Sequence, residues 1–308
     1  MRDRFLEEAR SFPYGSALFL GPNRYFQQKI REKGVIRAAT IDFLPQEILR
    51  WNGGTPGFRP VNRPAQKKIL QKALDYLKPH LDYFSSLVGK TGFRDNLLAL
   101  FDEFSRDGLE PETFEKVLLS WNRVGALKNK DMDLVRLYTA YCFQLQELGL
   151  EDLPRIYTRA AETLEQGGRV PWKKCYFSEF YQFDPVQLRL IRALGQCCSV
   201  EVGLFYDPKR PELSQVTEKI YGDLVGAGFN SVQEEPVRSK PADLTALTRE
   251  WKPGARTETG TPHIHLGEGV SQEQEIRMAL TSIKERLQQG VKPEGILVLV
   301  RKLTDYQG

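Results

Sequence analysis

The stretch with the clearest potential for chemistry is Gly21-Pro22-Asn23-Arg24. It follows the apolar run Ala17–Leu20. It precedes a segment in which Phe26 and Ile30 mark one face of an amphipathic helix ending at Gly34. Strand, tight loop and helix in this order is an arrangement that holds phosphates. In Gly-x-x-x-x-Gly-Lys-Ser/Thr, backbone N–H groups and the Lys reach the anion while the hydroxyl reaches Mg²⁺. Counted from Gly21, the Gly-Lys-Ser/Thr positions hold Phe26, Gln27 and Gln28. The shape is kept, but the cation and the metal-binding hydroxyl are missing. Phosphoryl transfer rests on positioning and charge neutralisation by such groups, so no turnover is expected here. Asn23 and Arg24 remain as phosphate contacts at a helix start, where the dipole favours anions; Asn23 serves equally as a plain helix cap.

Other stretches are weaker. Val88-Gly89-Lys90-Thr91 ends like a phosphate loop, but its first glycine would fall at Phe84 after a helix-like segment, so Gly89–Gly92 reads as a turn between helices. For nucleic acid, aromatic residues beside cations are the candidate stacking platforms: Trp51 with Arg50, Phe58 with Arg59, and Trp121 with Arg123. Arg123, Lys128 and Lys130 gather around one loop as phosphate contacts, with a solvated basic face as the equal alternative. His80, His263 and His265 lack the partners of a triad or metal site. Cys142, Cys175, Cys197 and Cys198 form no Cys-x-x-Cys pair. They read as reduced, mostly buried thiols of a cytoplasmic protein, with the adjacent pair closing a core helix.

The elements that position these residues follow from periodicity. The 308 residues are 41% hydrophobic and 27% charged with a net charge of +4, enough for two or three domains and too little charge to demand a nucleic-acid partner. No apolar run approaches the ~18 residues of a membrane span, and no secretory h-region follows Met1. A strand at Ala39–Ile41 precedes a helix capped by Asp42. From Pro79 to Gly168 no clear strand occurs, and amphipathic runs at 81–88, 93–105, 112–121, 131–148 and 152–164 predict a helical insertion. Strands at Lys174–Phe177 and Ser199–Tyr206 flank a helix opened by Asp184-Pro185, which predicts parallel pairing. After a polar linker at 237–261, a Ser271 capping box opens a helix to Gly290, and Ile296–Val300 reads as a buried strand. Residues 262–308 thus look like the start of a further α/β domain, the chain being the front part of a longer protein.

In this order the motifs resemble the N-terminal, helicase-like part of the B subunit of AddAB-type helicase–nucleases, whose motor is an inactivated superfamily 1 helicase. The resemblance is carried by Phe19–Arg24, by Phe93–Leu109 with Pro111-Glu112, by Phe177–Gln187, and by Gln274-Glu275 with Leu297–Arg301. It implies a P-loop NTPase-like (RecA-like) parallel sheet: residues 1–78 and 169–236 as one domain, 79–168 as its helical insertion, and 262–308 as the start of the second. It further implies a degenerate nucleotide site of Gly21, Pro22, Asn23, Arg24, Glu179 and Arg301, with no catalytic residue and no metal. Glu179 stands where active relatives carry an Asp-Glu pair, and Arg301 matches the arginine that contacts the γ-phosphate. Solvated side chains are the plain alternative for both. The expected partners are single-stranded or end-containing DNA and an A-type subunit. The implied role is in double-strand-break processing and recombinational repair, where the family surveys one strand for a hotspot sequence. Mg-ATP and an iron–sulfur cluster are expected only in the parent complex, as is helicase and exonuclease activity. Two other readings stay open: an ATPase in which Lys29 or Lys90 substitutes for the missing cation, and a scaffold for the motor subunit.

Overall fold

Ala17–Leu20 is apolar at every position, and the reason is visible in the sheet: Leu18 and Leu20 face one side, Ala17 and Phe19 the other, and all are buried. The computed structural model describes residues 2–34, 37–53, 59–206, 211–233, 265–302 and 306. Phe58, His263 and the linker at 237–261 lie outside the described residues. The chain divides into two units, Met1–Glu234 and Glu235–Gly308.

In the first unit, β1 (Ala17–Gly21) leads through α2 (Arg24–Arg31) to β2 (Arg37–Thr40) and α3 (Phe43–Trp51), with α1 (Arg2–Ala9) ahead of β1. Much later come β5 (Lys174–Phe177), α9 (Pro185–Cys197), β6 (Ser199–Val202) and α10 (Pro211–Gly226). The four strands form one parallel sheet in the order β2-β1-β5-β6. The fold is therefore α/β. On one face of the sheet, Leu18, Leu20, Cys175 and Phe177 pack against α3, α9 and a helix α8 (Leu153–Glu165). On the other, Phe19 and Tyr176 stack with ring centroids 4.8 Å apart beneath Phe5 of α1 and Phe26 and Ile30 of α2. β6 stops at Val202, short of the expected Tyr206.

Between α3 and α8 the chain builds a separate helical core from α4 (Arg63–Leu77), α5 (Thr91–Asp107), α6 (Pro111–Ser120) and α7 (Gly125–Glu147). A two-residue ladder, β3 (Arg59–Pro60) with β4 (Leu150–Glu151), closes its base and has no sequence signal of its own. Core membership thus groups α4 with the helical block and α8 with the sheet. Asp152 links the two cores: it caps α8 at the Arg155 N–H (3.0 Å) and accepts from the Ser105 hydroxyl of α5 (2.8 Å). The predicted helix at 81–88 is a correction, since only the short 3₁₀ turn Ser85–Leu87 forms there. The carboxylate of Asp133 takes the N–H groups of Asp82, Tyr83 and Phe84, at 3.2, 2.7 and 3.0 Å, and so replaces helical hydrogen bonding.

At the start of β5, the buried Lys174 pairs with Glu8 of α1 and Glu201 of β6, and Arg4 donates to Glu201 at 2.8 Å. Burial alone would lower the Lys174 pKa, but hydrogen bonds to Glu201 and Glu8 outweigh it and hold the ammonium above its ordinary 10.5. A raised folded value stabilises below the unfolded one and is lost as pH climbs through it. We expect α1 to stay docked through pH 10.5 and to be released only above it. Lys174→Ala should loosen it at neutral pH without undocking Phe5, with exchange of α1 amides faster by about tenfold. Hydrogen exchange across Phe5–Ala9 checks both; unchanged α1 protection in the variant would refute the anchor.

In the second unit, α11 (Gln272–Gln288) starts at Ser271, whose hydroxyl accepts from the Gln274 N–H (3.3 Å). The predicted buried strand at Ile296–Val300 does not form: Leu297 and Leu299 are 79% and 84% exposed, without a ladder. A strand needs a hydrogen-bonding neighbour, and no strand of the second unit is among the described residues. No described helix is long and apolar enough to cross a membrane.

Candidate functional site

β1 connects to β2 on one side and, after the helical block, its other neighbour is β5. The strand order therefore reverses between β1 and β5. Outside the carboxyl ends of such strands is where open α/β sheets bind ligands. Two loops flank this crevice: Pro22-Asn23 after β1, and Ser178–Asp184 after β5, tied together by the Ser178 N–H donating to the Leu20 carbonyl at 3.1 Å.

The first loop is short and closely packed. α2 begins at Arg24, leaving only Pro22 and Asn23 between strand and helix. Asn23 does cap the helix: its Oδ1 accepts the Phe26 N–H at 2.9 Å, using a donor that an anion would need. The Phe26 ring then covers Gly21 so closely that a Cβ there would sit 1.8 Å from ring carbon. This is why Gly21 must be glycine, although its φ is not in the left-handed region. Gln27, where a phosphate loop would carry Lys, turns to β2 and donates to the Ala38 carbonyl at 2.8 Å. At the hydroxyl position, Gln28 donates to Glu32 at 3.1 Å. Pro22 and Arg24 are exposed.

The second loop holds Glu179, exposed and in left-handed backbone with φ +64°. A non-glycine residue there carries a conformational cost of about 1 kcal/mol or more. The helix after it is opened by Gln187, whose side-chain oxygen accepts the Asp184 N–H at 3.0 Å. Burial pushes the Asp184 carboxyl up; Arg106 pulls it down, and Asp107 and Asp42 push it up again. Asp42 sits at the start of α3 without making the expected cap. Its oxygen accepts the Tyr157 hydroxyl of α8 at 2.9 Å instead, a partner 115 residues away.

The structure thus brings Gly21–Arg24 and Glu179 to adjoining strand ends. Arg301 belongs to the second unit and is exposed there. Lys29 points along α2 to Glu32 (3.6 Å) rather than back to Gly21, and Lys90 precedes α5 in the helical block.

The other candidate group occupies the corner between α6 and α7. Arg123 lies over the Trp121 ring, 4.3 Å from its centroid, and both of its contacts to the buried Asp131, 3.0 and 3.2 Å, come from one guanidinium nitrogen. Trp121 is nevertheless 52% exposed, next to Val124 at 81% and Leu127 at 55%. Lys128 and Lys130 do not extend a loop cluster. Both lie in α7, where two positions turn about 200° around the axis, so they leave the helix on different sides. Sequence reasoning found Trp121 and Arg123 from their spacing but had no signal for the clamp by Asp131. Among the described residues no group of three or more His, Cys, Asp or Glu is placed to hold a metal.

The architecture is that of an α/β protein, a parallel sheet with a helical block inserted before its third strand. The sequence model of the family described as "ADDB, N-terminal" matches residues 23–224, and the chain belongs to that family. It is similar to proteins named as the B subunit of an ATP-dependent helicase/deoxyribonuclease. The one from Carboxydothermus hydrogenoformans is 26% identical over 197 residues, 61% of this chain and 16% of the relative. Those from Bacillus velezensis and Bacillus subtilis are each 27% identical, covering 62% and 61% of this chain and 18% and 17% of the relatives. The chain spans about a sixth of the length of these relatives.

Proposed function

We propose that this chain is the non-motor, helicase-like module of a two-subunit ATP-dependent helicase/deoxyribonuclease. It binds DNA during the processing of broken ends for recombinational repair and works beside an A-type motor subunit. In this reading the α/β unit is RecA-like, and ATP chemistry and the iron–sulfur cluster belong to the rest of the complex. The observation that carries the proposal is the loop after β1: in a chain of this family, Phe26 fills the space over Gly21 and Gln27 is drawn to β2. Such a chain keeps the framework of a nucleotide motor for another use. The Trp121–Arg123 corner supports DNA contact, since a clamped guanidinium and a half-exposed indole serve phosphate and base together.

The test is binding of single-stranded DNA against salt, followed by anisotropy of a labelled oligonucleotide. Affinity should fall as salt rises, and Trp121→Ala should weaken it by about fivefold or more, one lost stacking contact. Incubation with labelled ATP and Mg²⁺ should give no hydrolysis. ATP turnover abolished by Lys90→Ala would favour the ATPase reading. Capture of the A-type subunit without DNA affinity would favour the scaffold.

A further inference from the structure

A second concave surface lies along the outer edge of β2, a cleft of about 450 Å³ lined by Tyr14, Gln27, Arg31, Arg37, Thr40 and Phe43 among others. β2 is the edge strand. The Ile41 N–H donates to the Gly21 carbonyl, and residues alternate between the two sides of a parallel strand. The backbone N–H and carbonyl groups of Ala38 and Thr40 therefore point to the outer edge. Addition of a peptide strand is obstructed, because the Ala38 carbonyl already accepts from Gln27 Nε2 at 2.8 Å and Arg31 Nη2 at 3.3 Å. Those side chains instead form a polar wall beside an open space.

The chemistry of that wall is cationic and aromatic. Its lining contains two guanidiniums and no carboxylate. Arg37 is held from behind by Glu47 at 3.1 Å and lies over the rings of Phe43 (5.5 Å) and Trp172 (5.9 Å), so its position is set before any ligand arrives. Among the described residues Arg31 has a neutral carbonyl against it, and no carboxylate lines the cleft beside it. Tyr14 stands at the rim and is 75% exposed. Guanidiniums recognise phosphate through their planar fork, and an exposed ring beside them offers a base its stacking surface. The volume falls in the range of small-ligand sites.

We propose that this cleft binds a nucleotide unit, its phosphate against Arg31 and Arg37 and its base against Tyr14. The unit comes either from a free mononucleotide or from one residue of a single strand. The site is distinct from the loop at Gly21, and the proposal stands whether or not the Trp121 corner binds DNA.

The experiment uses the 308-residue chain in two backgrounds, native and Trp121→Ala/Lys128→Ala. The probes are dTMP, by calorimetry, and a labelled oligothymidylate, by anisotropy, with polyglutamate as competitor. Arg31→Ala should weaken binding by about tenfold, the loss of one charge-assisted contact. Tyr14→Ala, at an exposed position, should weaken it several-fold, and Arg31→Lys should fall between. The same losses must appear in both backgrounds. Loss of dTMP binding identifies a free nucleotide as the source; loss confined to the oligonucleotide identifies a strand. Native-like binding of both probes by Arg31→Ala and Tyr14→Ala, or no binding by the native chain, overturns the proposal. Full displacement by polyglutamate with no effect of Tyr14→Ala also overturns it, assigning the cleft to acidic polypeptide.

Discussion

Asp133→Ala should cost about 3–5 kcal/mol and loosen the helical core from within. The carboxylate is fully buried and accepts three consecutive backbone N–H groups, from Asp82, Tyr83 and Phe84, with Arg136 Nη1 at 3.3 Å on its other side. Hydrogen bonds to a charged acceptor are each worth more than neutral ones, and their donors cannot all find water once the acceptor is gone. The magnitude is that of several charge-assisted hydrogen bonds lost together, Arg136 being 41% exposed and so not left as a buried charge. Asp133→Asn should be milder, about 1–3 kcal/mol, because one oxygen is kept while the new amide group faces donors rather than acceptors. Urea unfolding measures both losses. Exchange at the Tyr83 and Phe84 amides should rise first, and equal stability of all three proteins would show that the loop at 82–84 is held by packing alone.

Phe26→Ala should cost about 3–5 kcal/mol as well, by a different route. The ring is 2% exposed, packs with Phe19 and Ile30, and covers Gly21. Truncation opens a cavity under α2 and clears the space over the loop. Clearing the space should still not create a nucleotide site. Asn23 continues to take the N–H of residue 26, which the backbone of the variant retains, and Gln27 stays on Ala38. Thermal unfolding should therefore shift to lower temperature while the affinity for labelled ATP and Mg²⁺ stays that of the native chain. Saturable ATP binding gained by the variant and absent from the native chain would show that the ring alone had closed an otherwise competent loop.

Much of the architecture was legible in residue order. Ala17–Leu20 and Lys174–Phe177 lack alternation because helices cover both faces of the sheet, and that pattern announced two central parallel strands. Asp184-Pro185 announced α9, and 3.6-residue periodicity announced the helical block, since each helix buries a single stripe. The missing Lys was also plain, and with it the class of chemistry that is not expected at Gly21.

Other features depended on residues far apart in the chain. Asp42 looks like a cap until Tyr157, from α8, supplies a better partner. The segment 81–88 has helical periodicity, yet Asp133 binds its backbone from another helix. Leu297–Val300 has the composition of a buried strand, but a strand is completed only by a neighbour's hydrogen bonds. The composition and spacing of the chain determined most of its local elements and the absence of a Gly-Lys-Ser/Thr triplet after Gly21. Only tertiary structure decided what fills the space over Gly21, where Gln27 points and which cleft the guanidiniums line, because those outcomes depend on which distant side chain arrives at each hydrogen-bonding group and each open volume.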